Sequence, residues 1–278
     1  MTSTTISIPV ATSLEAVPSR HQVLRAAARA EWTKMRSVRS TMWTLLTTIA
    51  LAIGFGALIA ATQINNWDNL DPAEKARFDP TAFSLSGLFL AQLAIGVLGV
   101  LIVTSEYATG QIRATLAATP QRLTVLAAKS ITYVAVVFVV GLAASFGAFG
   151  IGQAIFSAEG LDASLTDPGV LRAVIGGALY LTAVGLLGIG LGTIIRRTAG
   201  AITSFVGLLM IVPLVASFLP ASWNNHFAKY LPAKAGMAVF NVNPDPTSLS
   251  PWTGFVVLLL YGAVTLAVGG LLLTRNDA

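Results

Sequence analysis

Cysteine is absent from the 278 residues, histidine occurs twice, and charged residues make up only 10% of the chain. The first absence excludes disulfides, thiolate metal sites and cysteine nucleophiles. The two histidines, His21 and His226, lie in distant segments and are too few for a metal site. No GxxxxGK[ST] phosphate loop occurs, so the chain carries no ATPase site of its own and no bound cofactor is expected on it. The shortage of charge, beside 55% hydrophobic residues, excludes an ordinary soluble domain, whose surface needs far more polar cover.

What the chain does have is long uncharged runs. They cover 40–67, 81–105, 130–158, 173–195, 198–228 and 246–274, each longer than the roughly 20 residues that cross a hydrocarbon layer as a helix. Backbone amides in lipid must be satisfied within the segment, and these runs far exceed a barrel strand of about 10 residues. The expected fold is therefore an all-α integral membrane protein with six transmembrane helices at about 41–62, 82–104, 129–156, 172–195, 199–219 and 252–273.

Charge sets the expected orientation. Twelve of the seventeen basic residues fall on the side of the N-terminus with four acids, against five basic and eight acidic residues on the other side, giving net charges of +8 and −3. The positive-inside rule places both termini in the cytoplasm. The overall +5 is thus a topology signal, and no nucleic-acid partner is expected.

Residues 1–20, rich in Ser and Thr, are read as a disordered cytoplasmic tail, and 21–278 as a single six-helix domain. From His21 to Arg39 the pattern is amphipathic. Leu24, Ala28, Trp32 and Met35 share one stripe and Arg25, Arg29 and Arg36 another, as in a helix lying in the membrane interface. Glu31 falls within the apolar stripe, where a bare carboxylate is costly. It either pairs locally with Arg or Lys or meets another subunit.

The connection between spans two and three runs Ser105-Glu106-Tyr107-Ala108-Thr109-Gly110-Gln111-Ile112-Arg113 and on through ATLAATPQR. Residues 106–118 can form a short helix with Ile112 and Leu116 one turn apart, and Thr119-Pro120 suits the N-cap and first position of the third span. A solvated turn remains the alternative. Between spans five and six, some 30 residues mix aromatic and small positions, with Trp223, Phe227 and Tyr230 spaced for one interfacial face. The acidic loop from Trp67 to Asp79 reads as solvated.

The pattern Ala30-Glu31-Trp32-Thr33-Lys34-Met35-Arg36-Ser37, the segment from Glu106 to Arg113, Leu116 with Pro120 and Arg122, Lys129, and Tyr230-Leu231-Pro232 together resemble the membrane permeases of type-2 ATP-binding-cassette (ABC) exporters, in their small six-span bacterial form. The resemblance implies a coupling helix between spans two and three that docks on a separate ABC ATPase subunit, with Glu106, Tyr107, Thr109, Gly110 and Arg113 as docking positions. It implies an interfacial elbow helix carrying Glu31, Trp32, Lys34 and Arg36, and short re-entrant or interfacial helices between spans five and six. It further implies two ATPase copies holding ATP and magnesium, a second permease chain read as an identical copy, a bacterial plasma membrane, and a small or amphipathic substrate moving between permeases.

Neutral polar residues inside the spans, Thr47, Gln92 and Thr203, are candidates for that pathway, though helix packing is the plainer role for each. An ion-coupled secondary transporter or channel is the main rival, but no ionisable residue lies mid-span and no repeated halves are visible. A non-transporting membrane scaffold also fits the hydropathy.

Overall fold

The computed structural model describes residues 19–119, 121–218, 220, 226–243 and 247–275. Among these, all regular structure is helical. Helix α1 spans Arg20–Ser37 and opens with a capping box: the Ser19 hydroxyl accepts from the Gln22 amide while the Gln22 side chain accepts from the Ser19 amide. Its start takes in Ser19 and Arg20 of the expected disordered tail, and residues 1–18 lie outside the described residues. A single extended residue, Val38, separates α1 from α2, Arg39–Asn65. That one break makes the elbow.

Among the described residues, six helices are long and apolar enough to cross a membrane: α2, α3 (Pro80–Ala108), α5 (starting at Arg122, with Arg122–Phe156 regular), α6 (Val170–Ile195), α7 (Thr198–Ser217) and α9 (Pro251–Arg275). Helix α4, Gln111–Ala118, lies in the connection between α3 and α5. Between α7 and α9 come two tight turns flanking α8, Pro232–Met237, whose small residues are buried against α9 and α6. The short helices expected there are present, with Phe227 and Tyr230 exposed; Trp223 lies outside the described residues.

Helix α6 is the axis of the bundle, packed by α3, α5, α7 and α9. Glycines permit this. A Cβ on Gly188 would collide with the Gly96 backbone of α3, and one on Gly192 would come within 3.0 Å of the Val100 carbonyl. Tyr133 of α5 fills the space beside Gly185 and donates to the Ile95 carbonyl at 2.6 Å. Helix α2 packs on α3 and α5 at one flank, and α7 covers α3 and α6 at the other. Ahead of Pro213, α7 widens into a π turn at Gly207–Ile211, which absorbs the missing proline N–H.

Trp32 is 51% exposed and lies roughly 80° round from Leu24, at the edge of the face of α1 that packs on the bundle. Three local expectations are corrected. Residues 106–118 are not one helix: Gly110 takes a left-handed φ of 71° and separates the end of α3 from α4. Helix α5 starts at Arg122, and the Thr119 amide instead closes the end of α4 on Thr115, while Pro120 lies outside the described residues. Asp79, expected to be solvated, is buried as the cap of α3, accepting from the Thr81 and Ala82 amides ahead of Pro80.

Candidate functional site

At the basic end of the bundle, three helices converge on four ionisable side chains. Lys129, two turns into α5, reaches Glu106 at the end of α3 at 2.7 Å and Glu31 of α1 at 2.8 Å. Lys34, one turn beyond Glu31, meets Glu106 at 2.5 Å and Glu31 at 3.5 Å. Glu31, Glu106 and Lys129 are buried, whereas Lys34 keeps about a third of its side chain exposed. Two acids and two bases cancel, which is what lets charges stay buried at a membrane margin.

Each partner is placed by its own helix. The spacing of Glu31 and Lys34 puts both on the same face of α1, and the Thr132 hydroxyl of α5 donates to the Ala28 carbonyl at 3.3 Å as a second tie between α1 and α5. Of the two alternatives, Glu31 takes the local one with its helical neighbour Lys34, and it pairs more closely still with a lysine 98 positions away in the same chain. Burial alone would lower the Lys34 pKa, but hydrogen bonding to Glu106 and the charge of Glu31 outweigh it and raise it above the ordinary lysine value. The second carboxylate oxygen of Glu106 is buried with no hydrogen-bond partner among the described residues.

Beyond Glu106 the chain turns outward. Tyr107 is half-buried, with its ring 5.3 Å from the Arg196 guanidinium, a cation–π contact. Arg196 has a left-handed φ of 60°, the sole non-glycine residue so placed among those described, and its guanidinium donates to the Leu272 carbonyl in the last turn of α9. Arg122 donates to the adjacent Leu273 carbonyl at 2.7 Å. Two arginines thus close the end of α9 and tie it to the α6–α7 turn and the start of α5.

The five docking positions named from the sequence divide. Thr109, Gly110 and Arg113 are exposed, while Glu106 and Tyr107 face the bundle. On α4, Ile112 is buried and Gln111, Arg113 and Ala114 point out, so the helix is seated by one face and displays the other. Of the four elbow positions, Glu31 and Lys34 join the charge cluster and Trp32 and Arg36 are exposed. The pathway candidates are not gathered in one place. Gln92 is buried between α3 and α6, accepting from the Tyr180 hydroxyl and donating to the Phe89 carbonyl. Thr47 and Thr203 are exposed on α2 and α7, the helices flanking α3.

The sequence reading counted Lys129 as a basic residue without giving it a partner. Its signal was there: Glu106 closes one uncharged run and Lys129 precedes the next, so opposite charges stand at the margins of consecutive spans. The Tyr107–Arg196 contact had no such signal.

A family model described as ABC-2 family transporter protein matches residues 27–212. No curated protein matches the chain. The matched region holds all four residues of the charge cluster, the elbow, the loop helix and the central helix α6, and it covers well over half the length. The chain belongs to the ABC-2 family of transporter membrane proteins.

Proposed function

We propose that this permease works in an ATP-driven exporter, as one of two identical membrane chains served by two separate ATPase subunits that hold ATP and magnesium. The observation that carries the reading is the largely buried four-charge cluster. It ties the elbow helix, the end of α3 and the start of α5 together at the two ends of the segment that carries α4. A load applied to α4 would then reach three elements together instead of bending a loop.

In this reading Thr109, Gly110 and Arg113 form the contact surface for the ATPase. Glu106 and Tyr107 act behind it, anchoring the loop to the cluster and to Arg196. The basic end faces the cytoplasm, in keeping with its surplus of lysine and arginine. The exposed faces of α2 and α7, with Thr47 and Thr203, would meet the second permease chain and border the substrate route. Closure of the ATPases on ATP moves the bundle only through contacts that differ between the two states.

The test is the complex reconstituted with its ATPase. Arg113→Ala is expected to lower substrate-stimulated ATP hydrolysis several-fold while the permease remains in the membrane at normal abundance. Unchanged stimulation at equal abundance would remove α4 as the coupling surface.

A further inference from the structure

A cavity of about 210 Å³ lies at the elbow, between α1, the first two turns of α2 and the last turns of α3. One side of its wall is apolar, with Leu98, Leu101 and Ile102 of α3. The other side is polar and carries both signs of charge, Glu31 and Lys34, beside the hydroxyls of Ser40, Thr41 and Ser105. Those three hydroxyls make no hydrogen bond among the described residues, although Thr41 is only 6% exposed. Thr44, also on the wall, differs from them in being spent on the Ser40 carbonyl. Hydroxyls without a protein partner on the wall of a cavity are available to a polar ligand.

The two charged groups have capacity left in a particular sense. Lys34 leans on Glu106 and only loosely on Glu31, so Glu31 Oε1 has no partner closer than 3.5 Å. Lys34 has three N–H donors and two carboxylate partners. The cavity therefore offers a carboxylate oxygen held only by a long 3.5 Å contact, next to an ammonium with one N–H to spare and a group of hydroxyls. A purely anionic head would meet Glu31. A quaternary ammonium has no N–H to give it. A head that carries a primary ammonium and a phosphate satisfies both, with the ammonium on Glu31 and the phosphate on Lys34, Thr41 and Ser105.

We propose that this cavity is a binding site for the phosphoethanolamine head of a membrane phospholipid, its chains leaving along the apolar α3 side. Phosphoethanolamine could arrive as a lipid or as a soluble compound. The lipid is favoured because the cavity is small for a whole organic ligand, about half of its lining residues are apolar, and it lies at the junction of α1 with the membrane-capable helices α2 and α3. An occupant would join the elbow to α2 and α3 next to the charge cluster. The site is built by this chain alone and does not depend on the ATPase; only its assignment to the inner leaflet rests on the orientation proposed above.

The test is native mass spectrometry of the full-length chain purified in mild detergent. The chain is delipidated stepwise and titrated with phosphatidylethanolamine, phosphatidylglycerol and phosphatidylcholine. One phosphatidylethanolamine is expected to stay longest, with an apparent Kd at least about tenfold below the other two. Thr41→Val keeps the side-chain shape and removes the hydroxyl, and should weaken binding roughly three- to tenfold. Ser105→Leu, at an exposed position, should weaken it by filling the polar side and decides the matter if Thr41→Val does not yield folded protein. Equal affinity for the three lipids, or full retention in the variant that folds, overturns the site. Full displacement by water-soluble glycerophosphoethanolamine at the lipid's own concentration overturns the lipid assignment.

Discussion

Lys129 and Glu106 lie 2.7 Å apart on consecutive long helices, both almost wholly buried, and each is also held by a residue of the elbow helix. The loop between those two residues carries α4. The pair therefore closes the base of the segment proposed to meet the ATPase, and the elbow is fastened to the same base.

Removing one member of this cluster should be worse than removing two. Lys129→Met leaves both carboxylates with Lys34 alone, and should cost about 3 kcal/mol of stability, as for other broken buried pairs. Adding Glu106→Leu to it removes the orphaned charge and should recover part of that loss. Thermal unfolding in detergent of the two single variants and the double variant measures this; strictly additive losses would mean that the pair is not coupled.

The pH response of Lys34 has a definite sign. Its pKa is raised in the folded protein, so its contribution is complete below the ordinary lysine value of about 10.4 and is lost as pH rises through the folded value. Its ion pairs should add no pH dependence between neutrality and pH 9. Above about pH 10.5 the wild-type chain should lose thermal stability more steeply than Lys34→Met, and parallel curves would show that the lysine is not held by the acids.

Gly188 should tolerate no side chain. Gly188→Leu drives α6 against the Gly96 backbone and should sharply reduce the yield of folded, monodisperse protein. Gly54→Ala, where a Cβ meets open space, should be neutral or slightly stabilising. Fluorescence-detected size exclusion of the two variants separates the outcomes.

Arg196 sets backbone strain against two contacts. Arg196→Ala keeps the left-handed backbone and loses both the cation–π contact to Tyr107 and the bond to the Leu272 carbonyl. Arg196→Gly loses the same contacts but relieves the strain, and should be more stable than the alanine variant by about 1 kcal/mol while remaining below wild type. Melting temperatures in one detergent give the order.

The six long helices were legible because lipid forbids charge along most of their length, so uncharged runs and membrane-capable helices coincide. Helix α1 was legible from the stripe of Leu24, Ala28 and Met35, of which Met35 is buried, while Trp32 at the margin of that stripe stays exposed. The orientation of Glu106 was hidden. Its partners sit 72 and 23 positions away, and no local periodicity says which side of a helix end will find a lysine. Thr119 misled for a related reason: a residue suited to starting one helix also closes the preceding one, and the backbone of the turn decides. Gln92, offered as a pathway residue, is committed to Tyr180, a contact that depends on how α3 and α6 face each other.

The central claim is that the exposed face around α4 is where the ATPase docks, and the lack of native cysteine makes a direct measurement clean. Single cysteines placed at Thr109 or Arg113 would be crosslinked in native membranes with a short thiol-to-amine reagent, and the adducts identified by mass spectrometry. The account predicts an ATPase adduct from both positions and none from a cysteine placed at Lys75, at the opposite end of the bundle. An ATPase adduct from neither position, with the permease folded and abundant, would contradict it.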